Sequence, residues 1–310
     1  MTLNPQDIEL AYQLFLGRKP SPAETNRMQS NQTTLAGVRR VFLTSQEFQQ
    51  NGGFGPLPDK AGQTGKARTL IHLHIPKSAG SSLSRLLVKN TRPEQRLTLG
   101  NDGLAKLRKP PGQLKKLRFI FGHMSHGVAD MLPQRCHYIS VLRRPGPRLL
   151  SFYRYVGRTD HHPLYNIVTN QKMSFGDFLD YTFAHPAVRF EVDNGQIRRL
   201  AGNMRQAGLG RERQLLRLAL HNVMAPNFTY GLTEHFKNFQ TRLVRQGLLS
   251  EATPIRENAA PEPGKLDEAL AGLNDGQREI YRGYIAWDSQ LYSICRQVYF
   301  SGRTAREPLP

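Results

Sequence analysis

Lys77, Ser78, Ala79, Gly80, Ser81 and Ser82 are six consecutive residues of "IPKSAGSS". A lysine brings a full positive charge and serine hydroxyls donate hydrogen bonds. A glycine lets backbone N–H groups approach a ligand closely. These are the parts of a phosphate cradle. Their order is not that of a Walker A loop, GxxxxGK[ST], in which the lysine follows the glycines. Here the lysine comes first and a single glycine is present, which argues against a nucleoside triphosphatase or a nucleotide kinase. On local chemistry alone the segment reads equally as an anion site or as a polar turn.

Two further groups carry chemistry. In "VLRRPGPRLLSFYRY", Arg143 and Ser151 could share a phosphate, since a guanidinium forks two hydrogen bonds onto such a group and a hydroxyl completes the pocket. Taken singly, the same stretch reads better as a basic surface helix. In "FGHMSHG", His123 follows a strand end and a glycine. It reads either as a general base for a hydroxyl or as a hydrogen-bonded loop histidine. His126 has the same two readings with weaker placement. His161 and His162 are adjacent and lack the spacing and carboxylate partners of a metal site. Cys136 and Cys295 form no CxxC pair, so they read as reduced core thiols, and no metal is expected.

The elements that must position these residues follow from pattern. "TLIHLHI" is a strand candidate that runs into the lysine loop, and "SSLSRLLVKN" is a helix with Leu83, Leu86 and Leu87 on one face. A strand, a turn and a helix in that order aim backbone N–H groups and the positive end of the helix dipole at one point. "RFIFGH" and "HYISVLR" are further strands that end at His123 and Arg143. "PGPRLLSFYRYV" is a helix with Pro147 placed near its first turn. Downstream, Ser174 and Asp177 form a capping box, and Leu215, Leu218 and Ala219 mark a helix. "FTYGL" is a strand after which Thr233 caps a helix carrying Phe236, Phe239 and Leu243 inward. Asn274 caps one terminal helix, and Leu291, Ile294, Cys295 and Val298 line another. Short strands alternating with helices predict an α/β domain with a mainly parallel sheet.

The chain of 310 residues is long enough for one sizeable domain and a small one. Its formal net charge of +19 points to a polyanionic partner: nucleic acid, an anionic membrane, an acidic glycan or a phosphate-rich cofactor. Charge cannot rank these four. The start "MTLNPQDIEL" has no signal-peptide pattern and no stretch approaches a membrane span, so a cytoplasmic protein is expected. Residues 1–50 read as a small all-helical domain, with Ile8, Ala11, Tyr12 and Phe15 on one helix face, a capping box from Ser21 to Glu24, and a third helix at Leu35, Val38 and Phe42. Residues 51–68 are rich in glycine and proline and read as a linker. Residues 69–302 form the main domain, followed by a tail, 303–310.

Three segments in this order resemble the PAPS-dependent sulfotransferases, nearest the branch of uronosyl and other carbohydrate sulfotransferases and their bacterial relatives. "IPKSAGSS" is similar to the family's 5′-phosphosulfate loop, Gly122-His123 to its strand-end "GH", and "RRPGPRLLSFY" to its 3′-phosphate segment. "HHPLYN", "DNGQIRRLAG", "FTYGLTEHF", "RENAAP" and "WDSQLY" resemble later segments, so the likeness runs over about residues 69 to 302. It implies a P-loop-like central parallel sheet flanked by helices, with PAPS as cofactor, PAP as product, and no metal. Lys77 would contact the 5′-phosphosulfate and neutralise the leaving group. Ser78, Ala79, Gly80, Ser81 and Ser82 would cradle the 5′-phosphate, and Arg143 and Ser151 would hold the 3′-phosphate. His123 would act as general base on an acceptor hydroxyl, that of a carbohydrate, for in-line transfer. Two positions depart from the pattern: Arg144 stands where the family has an aspartate that orients the turn, and Phe121 stands where uronosyl enzymes have a second histidine.

Residues 1–50 resemble a short helical domain of bacterial proteins, through "AYQLFLGRKPSPAE" and "FLTSQEF". The stretch "AKLRKPPGQLKKLR" carries Lys106, Arg108, Lys109, Lys115, Lys116 and Arg118 without an acid. It reads as a solvated loop or as a docking surface for an acidic glycan acceptor. No specific nucleic acid is expected as partner. The competing reading of the whole chain is a non-catalytic relative of the fold that binds polyanions.

Overall fold

The computed structural model describes residues 18–31, 69–100, 106–107, 109–202, 211–252 and 265–300, with single positions 5, 8, 9 and 12. The chain divides into two compact units, Met1–Gly62 and Gln63–Pro310.

In the first unit Ile8, Tyr12 and Met28 are buried. Helix α1, Pro22–Asn31, opens on the expected capping box. Ser21 Oγ accepts from the Glu24 N–H at 3.3 Å and Glu24 Oε2 accepts from the Ser21 N–H at 2.7 Å. Ala11, Phe15, the helix expected around Leu35, Val38 and Phe42, the 51–68 linker, the "RENAAP" segment and the 303–310 tail lie outside the described residues.

The second unit is built on a five-stranded sheet of order β2-β3-β1-β4-β5. The strands are β1 Thr69–Leu73, β2 Arg96–Leu99, β3 Phe119–Gly122, β4 Cys136–Leu142 and β5 Phe228–Leu232. Every neighbouring pair is parallel. Parallel strands need crossovers, and helices supply them. Between β1 and β4 the chain order reverses: β1 leads outward to β2 on one side and β4 to β5 on the other. Open α/β sheets bind ligands at such a point, beyond the carboxyl ends of the strands.

Strand alternation divides the core into two faces. Ile71, Leu73, Ile120, Tyr138 and Leu142 pack with Ile197, Leu200, Leu215, Ala219, Leu291 and Cys295. Phe119, Ile139 and Val141 point the other way and meet Leu83, Leu86, Leu87, Phe236, Phe239 and Leu243. The helices of the second face are α2, Gly80–Lys89, and α10, Phe236–Arg245. Those of the first are α8 Gly195–Ala201, α9 Glu212–Val223 and α12 Asp275–Phe300. A third cluster, with Leu149, Phe152, Phe178 and Tyr284, gathers α4 Pro145–Val156, α6 Phe175–Ala184 and α12. Short helices α3 Pro111–Leu114, α5 Tyr165–Asn170, α7 Pro186–Arg189 and α11 Lys265–Ala271 fill the connections.

Several expectations need correcting in detail. The first helical residue of α4 is Pro145 rather than Pro147; its missing N–H costs nothing at that position. Thr233 does not cap α10; it opens a 3₁₀ turn, and its hydroxyl donates to the Leu142 carbonyl, tying β5 to β4. The terminal segment is one 26-residue helix, α12, not two, with Asn274 and Gln277 capping its start. On α9 the buried partner of Leu215 is Leu216, and Leu218 is half-buried. The Ser174–Asp177 capping box is present at the head of α6.

Candidate active site

The turn from β1 into α2 carries the lysine loop. Lys77 and Ala79 both adopt left-handed backbone conformations, with φ of 66° and 57°. Residues with a Cβ give up about 1–2 kcal/mol each to do so. Such alternation turns successive N–H groups toward a common point, the geometry of an anion-binding nest. Ala79 is the N-cap of α2 and offers no side-chain acceptor to the first turn. Ser78 is buried, and its Oγ has no hydrogen-bond partner. Ser82 is buried and Ser81 exposed. Gly80 has no room for a side chain: a Cβ there would lie 1.8 Å from Cδ2 of His74.

Arg143 leaves the end of β4 and reaches this loop. Its Nη1 donates to the Lys77 carbonyl at 2.8 Å. Its own backbone is gripped from both sides by Gln196 of α8, whose Oε1 accepts from the Arg143 N–H at 3.1 Å and whose Nε2 donates to the Arg143 carbonyl at 3.0 Å. Helix α8 is fixed in turn by α12. The Asp288 carboxylate accepts from the N–H groups of Gln196 and Ile197, and Asn194 Oδ1 accepts from those of Trp287 and Asp288. Buried Arg148 of α4 faces Asp288 at 3.6 Å. Arg144, the residue that departs from the family pattern, has its N–H held by Glu234 Oε1, and Tyr292 donates to the other oxygen of Glu234. A glutamate from after β5 thus orients the Arg144 end of this turn.

Lys77 Nζ lies 4.3 Å from the centroid of the Tyr155 ring, a cation–π contact. Tyr155 and Ser151 are four residues apart on α4 and share one helix face. Burial lowers the Lys77 pKa, and the charges of Arg158 and Arg143 lower it further; no carboxylate counters them. Lys77 thus sits among cations with no carboxylate acting on it, while Glu234 acts on Arg143; a surplus of positive charge at a loop is the electrostatic condition for holding an anion.

His123 follows β3 on the same side of the sheet as the loop. Even positions of β1 and odd positions of β3 point to one face, and the strands pair as Leu70 with Phe119 and His72 with Phe121. The register carries on through the His74 N–H, which donates to the Gly122 carbonyl at 3.1 Å. His74 and His123 are thereby stacked, with ring centroids 4.4 Å apart, and His72 and His74 stack at 5.4 Å. His123 keeps an exposed edge. Burial of the rest of its ring holds its pKa below the ordinary imidazole value, and Arg199 adds to that; Glu191 and a hydrogen bond with the His74 backbone oppose it. A neutral imidazole with an open edge is able to accept a proton. Arg199 is paired with Glu191 and donates to the Met124 carbonyl, so the segment after His123 is anchored to α8.

Lys77, Arg143 and His123 thus come from the ends of β1, β4 and β3, on one end of the sheet. Ser151 is half-buried one to two turns into α4. Other candidates fall elsewhere. His126 stacks on Tyr138 at 4.4 Å and is packed, with its pKa lowered by burial to about 4. His162 packs edge-on to Phe152 and Tyr155 and accepts from the Leu164 N–H, while His161 is exposed beside Asp160. Among the described residues no group of three or more His, Cys, Asp or Glu side chains is placed to hold a metal. Neither Cys136 nor Cys295 is in a disulfide, and the Cys136 thiol donates to the Gln134 carbonyl at 3.3 Å. In the basic stretch, Arg118 directly precedes β3 and its carbonyl accepts from Leu70, so Lys115, Lys116 and Arg118 sit at the amino-terminal edge of the sheet. That is the end opposite Lys77 and His123.

Phosphate loop, arginine at the end of β4 and histidine at the end of β3 form one constellation, and the sequence containing them can be compared as a whole. Residues 64–204 match the model of the sulfotransferase family. The sulfotransferase match runs from the start of β1 to the end of α8, and includes every candidate residue named above. Among solved structures the chain is similar to a mouse sulfotransferase complexed with PAP, at 11% identity and a TM-score of 0.38, over 76% of this chain and 90% of that one. No curated protein matches the chain.

Sequence reasoning did not single out Gln196, Glu234, Tyr155, His74 or the Arg199–Glu191 pair. Gln196 and Glu234 lie inside "DNGQIRRLAG" and "FTYGLTEHF", so a signal was present, but their partners are 53 and 90 residues away in sequence. For His74 the signal was the alternation of "HLH", which puts two rings on the face that His123 shares.

Proposed function

We propose that this chain transfers a sulfuryl group from PAPS to an acceptor hydroxyl, with a carbohydrate as the acceptor class. The observation that carries the reading is the bond from Arg143 to the Lys77 carbonyl, which joins two cationic residues at the same end of the sheet as His123, whose pKa is lowered by burial. The sulfotransferase match over residues 64–204 supports the same reading. The residues present fit the nucleotide: Ser78 Oγ is an unused buried hydroxyl, Gly80 leaves the loop backbone open, and the cations Lys77, Arg143 and Arg158 have an excess of charge to share.

When bound, PAPS supplies the activated sulfuryl group. Lys77, Ser78, Ala79, Gly80, Ser81 and Ser82 bind its 5′ side through backbone N–H groups, hydroxyls and one ammonium. Arg143 and Ser151 bind the 3′-phosphate, the group that tells this nucleotide from AMP. His123 takes the proton of the attacking hydroxyl at the imidazole nitrogen on its exposed edge. Lys77 offsets the negative charge that builds on the departing phosphate, as preorganised cations do in phosphoryl transfer. The carbohydrate acceptor rests on the resemblance of the loop and helix segments; the net charge of +19 suits an acidic glycan without singling it out.

The test is transfer of radiolabelled sulfate from PAPS to a panel of glycans, acidic and neutral, with His123→Ala as control. Labelled glycan in the wild type and none in the variant supports the reading. Glycan binding that survives His123→Ala and Lys77→Ala, with no labelled product from either protein or from the wild type, assigns the chain to non-catalytic polyanion binding instead.

A further inference from the structure

His74 belongs neither to the loop's ligand-binding groups nor to the base, yet its ring touches both. The imidazole fills the space over Gly80, where a Cβ would come within 1.8 Å of Cδ2 and 2.2 Å of Nε2. The same ring stacks on His123 at 4.4 Å with 27° between the planes. Below it, His72 continues the stack at 5.4 Å and 17°. His72 is anchored in the α2 face of the core, where its Nδ1 and Ser84 Oγ are 2.9 Å apart. The column therefore starts on α2, passes behind the phosphate loop and ends at His123.

We propose that His74 is a positioning residue for sulfuryl transfer: its flat ring is the common wall that fixes His123 relative to the Gly80 turn of the phosphate loop. The proposal rests on His123 and the loop acting as described above, and goes beyond that reading by assigning a residue that touches neither nucleotide nor acceptor. The physical reason is register. His74 hydrogen bonds to Gly122 through its backbone, so β1 and β3 cannot slide, and its ring then sets how far the base stands from the loop. Gly80 and His74 form a matched pair, since only glycine leaves room for the ring.

The stack also bears on the charge of His123. The charged and titratable groups that influence His74 are His72, His123, Arg199 and Lys77, and those that influence His123 are Arg199 and Glu191. Every group acting on His74 is basic. Burial and Arg199 favour the neutral form of His123, and Glu191 and a hydrogen bond with the His74 backbone pull the other way.

The experiment compares His74→Ala, His74→Phe and His74→Leu with the wild type in two readouts. The first is kcat with PAPS and an accepted glycan, beside the affinity for PAP. The second, independent of activity, is the NMR titration of the His123 imidazole. Displacing a reacting group by about 1 Å can cost on the order of 100-fold. Accordingly His74→Ala lowers kcat by roughly 10- to 100-fold, and its His123 titration moves up toward the free-imidazole range. His74→Phe, which keeps a flat ring, restores most of the rate. His74→Leu keeps volume without a flat ring, behaves like the alanine variant, and replaces it if alanine does not fold. Wild-type kcat and an unmoved His123 titration in a folded His74→Ala or His74→Leu protein overturn the proposal, as does a phenylalanine variant no better than leucine. If the wild type transfers no sulfate at all, the functional reading fails, while the His123 titration still decides whether His74 fixes that ring.

Discussion

Arg143 Nη1 donates to the carbonyl oxygen of Lys77 at 2.8 Å, across 66 residues of sequence. The contact makes the end of β4 part of the loop after β1. Arg143 closes the loop by this contact, and under the proposed function its remaining N–H groups are the ones offered to a phosphate. A lysine in its place would carry the charge but lack the fork needed for both.

Replacing Arg143 by alanine therefore weakens PAP binding by roughly 10- to 100-fold, the range expected for a charge-assisted hydrogen bond of about 1.5–3 kcal/mol. Arg143→Lys recovers less than half of that loss in free energy. Calorimetric titration of both variants checks this. PAP affinity unchanged in Arg143→Ala removes the residue from the nucleotide site.

Lys77 stands over Tyr155 and has no carboxylate acting on it. Lys77→Ala should lower kcat by about 10²–10³-fold, as loss of one preorganised electrostatic group does. PAP affinity should fall by less, because backbone N–H groups supply much of the loop. Single-turnover transfer beside equilibrium PAP binding separates the two effects. Equal losses in both would make Lys77 a binding residue only.

The rate should hold below the ordinary histidine range. His123 must be neutral to accept a proton, and burial lowers its pKa from 6.5, so the acid limb of kcat/KM falls below 6.5. A limb at or above 6.5 contradicts the environment assigned to this ring.

Stability should respond to pH through the rings beneath it. Burial holds His72 to about 3 and His74 to about 2 in the folded protein, against 6.5 as the ordinary value. As pH falls through 6.5 the unfolded chain takes up protons that the folded chain refuses. Each ring thus removes about 1.4 kcal/mol per pH unit between 6.5 and its folded value. Thermal melts from pH 7 to 4.5 should show a declining midpoint, and His72→Phe should flatten the decline. A slope that the variant leaves unchanged would mean His72 stays neutral in neither state's favour.

Beneath the site, Asp288 receives two backbone N–H groups from α8 and faces buried Arg148. Asp288→Ala leaves that guanidinium without its counter-charge and should cost about 3–5 kcal/mol of stability. Urea unfolding measures it. A loss under 1 kcal/mol would show that α8 is held by packing alone.

Four of the five strands were legible in the sequence as short apolar runs, three of them leading into a candidate residue: Lys77 after β1, His123 after β3, Arg143 after β4; β2, with the short run Arg96–Leu99, was not. Helical spacing then placed Leu83, Leu86 and Leu87 correctly against the sheet. What local pattern does not carry is the lattice of long-range polar contacts. Gln196 grips a backbone 53 residues away, and Asp288 holds an amide 92 residues before it. Nothing in the i, i+3 or i, i+2 spacing marks such partners. The same holds for Arg144, whose N–H is held by Glu234 from beyond another strand. The basic run at Lys115–Arg118 stayed open between a solvated loop and a docking surface, because charge density in sequence does not say which end of a parallel sheet it occupies.

The most direct test of the site is calorimetric titration of the wild-type protein with PAP and, in parallel, with AMP. The two ligands differ by the 3′-phosphate that Arg143 and Ser151 are proposed to hold. PAP should bind at least about 10-fold more tightly, the equivalent of one charge-assisted hydrogen bond. Equal affinity for the two nucleotides, or no heat with PAP, would contradict the account.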